Sequence, residues 1–323
     1  MKPDMAFGAY VVDAAFLGDT VAFALGDGSV RMVDAEVARI VGVHDGAILA
    51  ATPTTDGKSI VTGGDDGLIA ATSADGTVTT MAKHTGKWID RLATGSGEAI
   101  AYALGRQVVV LLSEEREKAL DLPHAAGGLA FASKGLRLAI ARYNGVTLWW
   151  PGTEAEPTEL AWDGPHIAAS FSPDGKYLVT AMQENQLHGW RLSDGKDMRM
   201  SGYPAKPRSL SWSAKGRFLV TSGANAAVLW PFHLKDGPQG KPPLQVGSRD
   251  VLVTQVACHP RKERVAIGYK DGLVAVADFV ETAGPGARYQ IDGPITALAW
   301  SRRGDRLAYG SETGAAGVVE LIE

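Results

Sequence analysis

A short apolar unit recurs eight times along this chain, and no other feature constrains the fold as strongly. The copies begin at Val21, Ile60, Ile100, Leu138, Leu178, Leu219, Val265 and Leu307. Successive starts lie 39, 40, 38, 40, 41, 46 and 42 residues apart. A period near 40 describes one supersecondary unit, copied and stacked, that buries its apolar face only against its neighbours. Length alone suggests two domains, but an even period with no linker predicts one domain over residues 1–323.

Aligned on those starts, the copies read VAFALGDG, IVTGGDDG, IAYALGRQ, LAIARYNG, LVTAMQEN, LVTSGANA, VAIGYKDG and LAYGSETG. The second residue is always Ala or Val, and the fourth is always Ala, Gly or Ser. Two residues apart, these positions share one face of a strand, and small side chains there let another sheet approach closely. Asp-Gly or Asn-Gly then closes several copies, the strongest short hairpin signal, because Gly accepts positive φ without steric cost. A third strand follows each turn, and a first strand ending in a polar turn precedes each run, as in ASFSPDGKY (169–177). A more polar fourth strand follows in most units, such as TVTTMA (77–82). Four short antiparallel strands per ~40 residues, without helical periodicity, predict an all-β chain folded as a single propeller of four-stranded blades. The repeat favours eight blades over seven. The last unit stops at Glu323 without a fourth strand, so residues 3–9 are expected to pair on it and close the ring.

ALGDGSVRMVDA (24–35), TGGDDGLIAATSADG (62–76) and ASFSPDGKYLVTA (169–181) resemble WD40 repeats, as do His44, His84 and His124, spaced 40 apart. The resemblance covers the whole chain, but every copy is degenerate. It implies a hydrogen-bond network within a unit, built from a His, a Ser/Thr of the second strand, an Asp of the turn and a closing Trp. One unit keeps His44, Thr62 and Asp66 but has Ala71 and Thr72 near the expected Trp; Trp190 and Trp230 close two others.

Composition excludes several classes. A net charge of −4 provides no global field for nucleic acid or an anionic membrane. The first residues are too charged for a signal peptide, and no apolar stretch is long enough to span a bilayer. A lone Cys258 forms no internal disulfide and suits a reducing compartment, so a cytoplasmic location is expected.

No nucleophile elbow, phosphate loop or zinc-protease motif occurs. The three evenly spaced His sit in different units without Cys or carboxylates at ligand spacing, so structural bonding is expected and a metal is not. Cys258 and His259 are strand neighbours and point to opposite faces. No cofactor is expected and no catalytic residue is assigned. In a propeller the second-to-third strand turns and the approaches to the first strands open on one rim. There the chain places Arg142 and Tyr143, Met182 and Gln183, Tyr269 and Lys270, with Trp88, His166 and Arg208 at the approaches. Aromatic residues, Met and Arg are the types enriched in interface anchors, so these nine are the candidate partner-binding residues. The opposite rim interleaves basic residues (Lys58, Lys134, Lys176, Lys215, Arg306) with acidic ones (Glu36, Asp75, Glu154, Asp194), as a solvated mixed face does. The expectation is a non-catalytic scaffold for an unidentified protein or peptide. A hydrolase with a metal in the central channel, near Asp13, Asp90 and Gln255, and a nucleic-acid binder using the basic rim are the alternatives.

Overall fold

The computed structural model describes residues 2–34, 38–113, 116–280 and 286–321; Glu36 falls outside them. Among the described residues every element is a strand except a three-residue 3-10 turn at Ser96–Glu98. Unit one shows the plan: Val11–Leu17, Thr20–Leu25, Ser29–Val33 and Ala38–Gly42 form one antiparallel four-stranded sheet in chain order. First strands of successive units touch one another, and unit eight's touches unit one's, so the sheets ring a common axis.

Seven sheets stand where the repeat favours eight blades. The difference lies in one six-stranded sheet that carries units four and five. Thr158–Phe171 is a single strand there: 158–161 pair back on unit four, while 166–171 pair forward on unit five. Unit four's fourth strand thus runs into unit five's first without the loop that separates sheets elsewhere. The apolar packing still follows the repeat, with eight clusters that each join two successive units.

Lys2–Ala6 pairs antiparallel with Ala315–Glu320, supplying the missing fourth strand of the last unit as expected. Phe7 continues the pairing through its amide to Gly314 O at 2.8 Å, and its ring lies 5.3 Å from Phe23 of unit one.

The second strands are buried on both faces because each sheet is sandwiched between its neighbours. Their small fourth position makes this possible. A Cβ added to Gly268 would lie 2.4 Å from Ile295 Cγ2 of the next unit, and one on Gly310 would lie 2.5 Å from Val11 Cγ1. Threonines stitch the same seams: Thr254 Oγ1 donates to Ile295 O and Thr296 Oγ1 to Val11 O, both at 2.7 Å.

Candidate interaction rim

The turns after the second strands and the approaches to the first strands share one rim, because they hydrogen-bond to each other. Asp65 N donates to Ala47 O, Gln183 N to Pro165 O, Lys270 N to Leu252 O and Glu312 N to Pro294 O. Asp65 also accepts from Ala47 N at 2.9 Å, which makes it a loop tie and not a free solvent-facing group.

Internal networks anchor the approach loops. His44 bonds Asp66 through Nδ1 (3.0 Å) and Thr62 through Nε2 (2.9 Å), the arrangement that the WD40 resemblance implies. The same 18-residue separation recurs in His84 with Tyr102 (2.8 Å) and in Tyr203 with Thr221 (2.6 Å), where Trp230 Nε1 donates to the Tyr203 hydroxyl. A tyrosine therefore replaces the histidine in unit six. Burial alone would raise the Asp66 carboxyl, but His44 and the amides of Leu68 and Asp45 override it and hold it at about 2. That contribution to stability is present above the ordinary aspartate range and is lost as pH falls through about 2.

Of the nine candidate residues, five are exposed: Trp88, Tyr143, Gln183, Arg208 and Lys270. Four expectations are corrected, since Arg142, His166, Met182 and Tyr269 are buried. Arg142, Met182 and Tyr269 hold the fifth position of the run, which shares a strand face with the first and third and so points into the seam. Arg142 is spent on Thr147 Oγ1, Tyr143 O and the Glu159 carboxylate. The Tyr269 hydroxyl donates to Gly247 O, and Arg249 lies over its ring at 4.8 Å. His166 bonds Thr180 Oγ1 at 2.7 Å and Trp162 O at 3.1 Å. Trp88 reaches solvent at 70% exposure because its neighbour Ile89 takes the buried approach slot.

A cavity of about 610 Å3 opens at this rim over units five to eight and the start of unit one. Arg208 and Lys270 line it, joined by Tyr10, Lys206, Gln255 and Glu312. Tyr10 had a legible signal: it stands eleven residues before its run, the same repeat position as Arg208. Burial pushes its phenol up, Glu312 adds to the shift and Arg208 opposes it.

The opposite rim pairs several of its charges: Lys58 with Asp56 (3.3 Å), Lys176 with Asp174 (3.1 Å) and Arg306 with Asp19 (3.1 Å). The loop at 235–243 also carries pairs, with Asp236 3.4 Å from Arg191 and 3.9 Å from Lys196 of unit five. Among the described residues no three His, Cys, Asp or Glu side chains are grouped to hold a metal ion. Cys258 bonds Ser211, and burial pushes its thiol up to about 12; His259 instead faces Gly304 O and the turn amides of Arg261 and Lys262.

Asp13 lines a second cavity of about 510 Å3, with the first-to-second strand turn at 54–57 and Trp300. Burial pushes its carboxyl up to about 7, against one amide bond from Ala14. A raised folded-state value means stability is highest below the ordinary aspartate range and falls as pH rises through about 7. Asp13→Asn is therefore expected to raise the melting temperature at about pH 8.5 and to change it little at about pH 4.5. Melts at the two pH values check this; equal shifts would remove the assignment.

No protein-family model matches the chain. Telomerase protein component 1 of Rattus norvegicus is 23% identical over 185 residues, and that of Mus musculus is 24% identical over 186. Each match covers 55% of this chain and 7% of the relative, so the chain spans a small fraction of either protein. Among solved structures, the computationally designed Ika8 protein superposes with a TM-score of 0.79 at 17% identity, over 98% of both chains. That likeness concerns the fold. Among the described residues no helix is long and apolar enough to cross a membrane.

Proposed function

We propose that this chain is a WD40-type interaction scaffold, without catalytic activity, that presents the Trp88–Tyr143–Arg208–Lys270 rim to a protein or peptide in the cytoplasm. One observation carries the reading. Large aromatics stand in solvent on this rim (Trp88 at 70%, Tyr143 at 49%, Tyr10 at 47%), Tyr10 at the edge of an open cavity, while several charges of the opposite rim are paired. Amphipathic rings with few torsions, held on bonded turns, lose little entropy on binding. The His44 and Tyr203 networks support the WD40 assignment, and the unpaired Cys258 suits a reducing compartment.

A displayed random-peptide library panned on the immobilised protein tests the reading. Selected peptides are expected to weaken roughly tenfold or more on a Trp88→Ala/Tyr143→Ala/Lys270→Glu variant. Lys134→Glu/Lys215→Glu on the opposite rim is expected to leave them unchanged. Binders that ignore the first variant and respond to the second would sink the proposal.

A further inference from the structure

We infer that the rim cavity captures an acidic peptide segment, one Asp or Glu side chain being held between Arg208 and Lys270 at the mouth of the ring. The inference rests on the rim reading above and names the chemistry of its partner.

Three cations, Arg208, Lys206 and Lys270, line this single cavity, and none of their side chains has an ion-pair or hydrogen-bond partner among the described residues. That contrasts with several arginines elsewhere in the ring. Arg249, close by on the same rim, makes a two-pronged contact with Asp271 at 2.9 and 3.1 Å. Arg191, Arg264 and Arg306 likewise each have a carboxylate. Among the described residues Glu312 is the single acid lining the cavity and forms no ion pair with the three cations, so the described lining carries a formal excess of two positive charges. The Tyr10 hydroxyl and the Gln255 amide also line it without a side-chain hydrogen bond among the described residues.

Cations left unpaired around a concavity attract an anion, and the low-dielectric walls strengthen that attraction. The rest of the lining favours a peptide over a bare phosphate. Glu312 would repel a dianion but can accept a backbone N–H beside the captured carboxylate. Gln255 offers both a donor and an acceptor to peptide backbone, and Tyr10 adds a ring with a polar tip. The cavity volume of about 610 Å3 falls in the ordinary range for ligand clefts, about 300–1,000 Å3.

Fluorescence anisotropy with labelled peptides tests this. The probes are Gly-Ser-Asp-Glu-Asp-Ser-Gly, its isostere Gly-Ser-Asn-Gln-Asn-Ser-Gly, and a phosphoserine peptide without Asp or Glu. The acidic probe is expected to bind, to weaken with added salt, and to lose roughly tenfold or more in affinity on Arg208→Glu/Lys270→Glu. Both residues are exposed and make no side-chain hydrogen bond or ion pair among the described residues, so the variant is expected to melt like the parent. Equal binding of the isostere, absence of binding by the acidic probe, or indifference to the double substitution would overturn the inference. Tighter binding of the phosphoserine peptide, competed by inorganic phosphate, would also overturn it. If library panning yields rim-dependent peptides that lack acidic residues, the rim reading survives and this inference fails alone.

Discussion

Removing residues 2–9 is expected to lower the melting temperature by roughly 10 °C. These residues complete the last sheet through the pairs Lys2↔Val318, Met5↔Ala316 and Ala6↔Ala315, and Met5, Phe7 and Ala9 pack on the cluster that joins units eight and one. Full burial of a large apolar side chain contributes about 1.5–3 kcal/mol, so two half-buried ones contribute roughly 2 kcal/mol together. A few ladder hydrogen bonds at about 1 kcal/mol each bring the loss near 5 kcal/mol. For a chain of this size about 2 °C accompanies each kcal/mol. The truncation also bares the edge of Ala315–Glu320, whose free amides and carbonyls invite pairing with another chain. Calorimetry with light scattering checks both consequences. A shift below about 3 °C with no association would show that the ring closes without its first strand.

Gly268→Val is expected to destabilise the ring by several kcal/mol although it adds apolar surface to an apolar seam. The first added atom would lie 2.4 Å from Ile295 Cγ2 and 2.6 Å from Ile295 Cβ. The Cβ is fixed to the backbone, so relief requires units seven and eight to separate, and Thr254 Oγ1 holds that seam through Ile295 O. Gly268→Ala is expected to cost about 1–3 kcal/mol, as overpacking does, and Gly268→Val more. Adding Ile295→Ala to Gly268→Ala is expected to cost less than the sum of the two single changes, since one makes the space the other needs. Gly42→Ala serves as the control: nothing lies within 4 Å of its Cβ and its φ is not in the left-handed region, so a change within about 0.5 kcal/mol is expected. Equal effects at Gly42 and Gly268, by chemical denaturation, would refute the close-approach argument.

Much of the fold was written in spacing. The 40-residue period named the stacked units, and the invariant small positions marked where sheets touch, as Gly63, Gly268 and Gly310 against Ile89, Ile295 and Val11 show. The free edge of unit eight required a strand from elsewhere, and the N-terminal residues supply it. The buried state of Arg142, Met182 and Tyr269 was equally legible, because strand alternation puts the fifth position with the first and third. Reading the turn as beginning one residue too early moved those three side chains onto the surface.

Local chemistry dictated the units, their turns and their order, because a strand's alternation and a glycine's positive φ depend on residues adjacent in the chain. The junction at 158–171 and the cavity did not follow from any single copy. One depends on a fourth strand continuing without a break into the next unit. The other depends on Tyr10, Arg208, Gln255 and Lys270, which belong to units one, six and seven and meet only when the ring closes. Each unit contributes one or two groups, and none is a site until curvature brings them to a common axis.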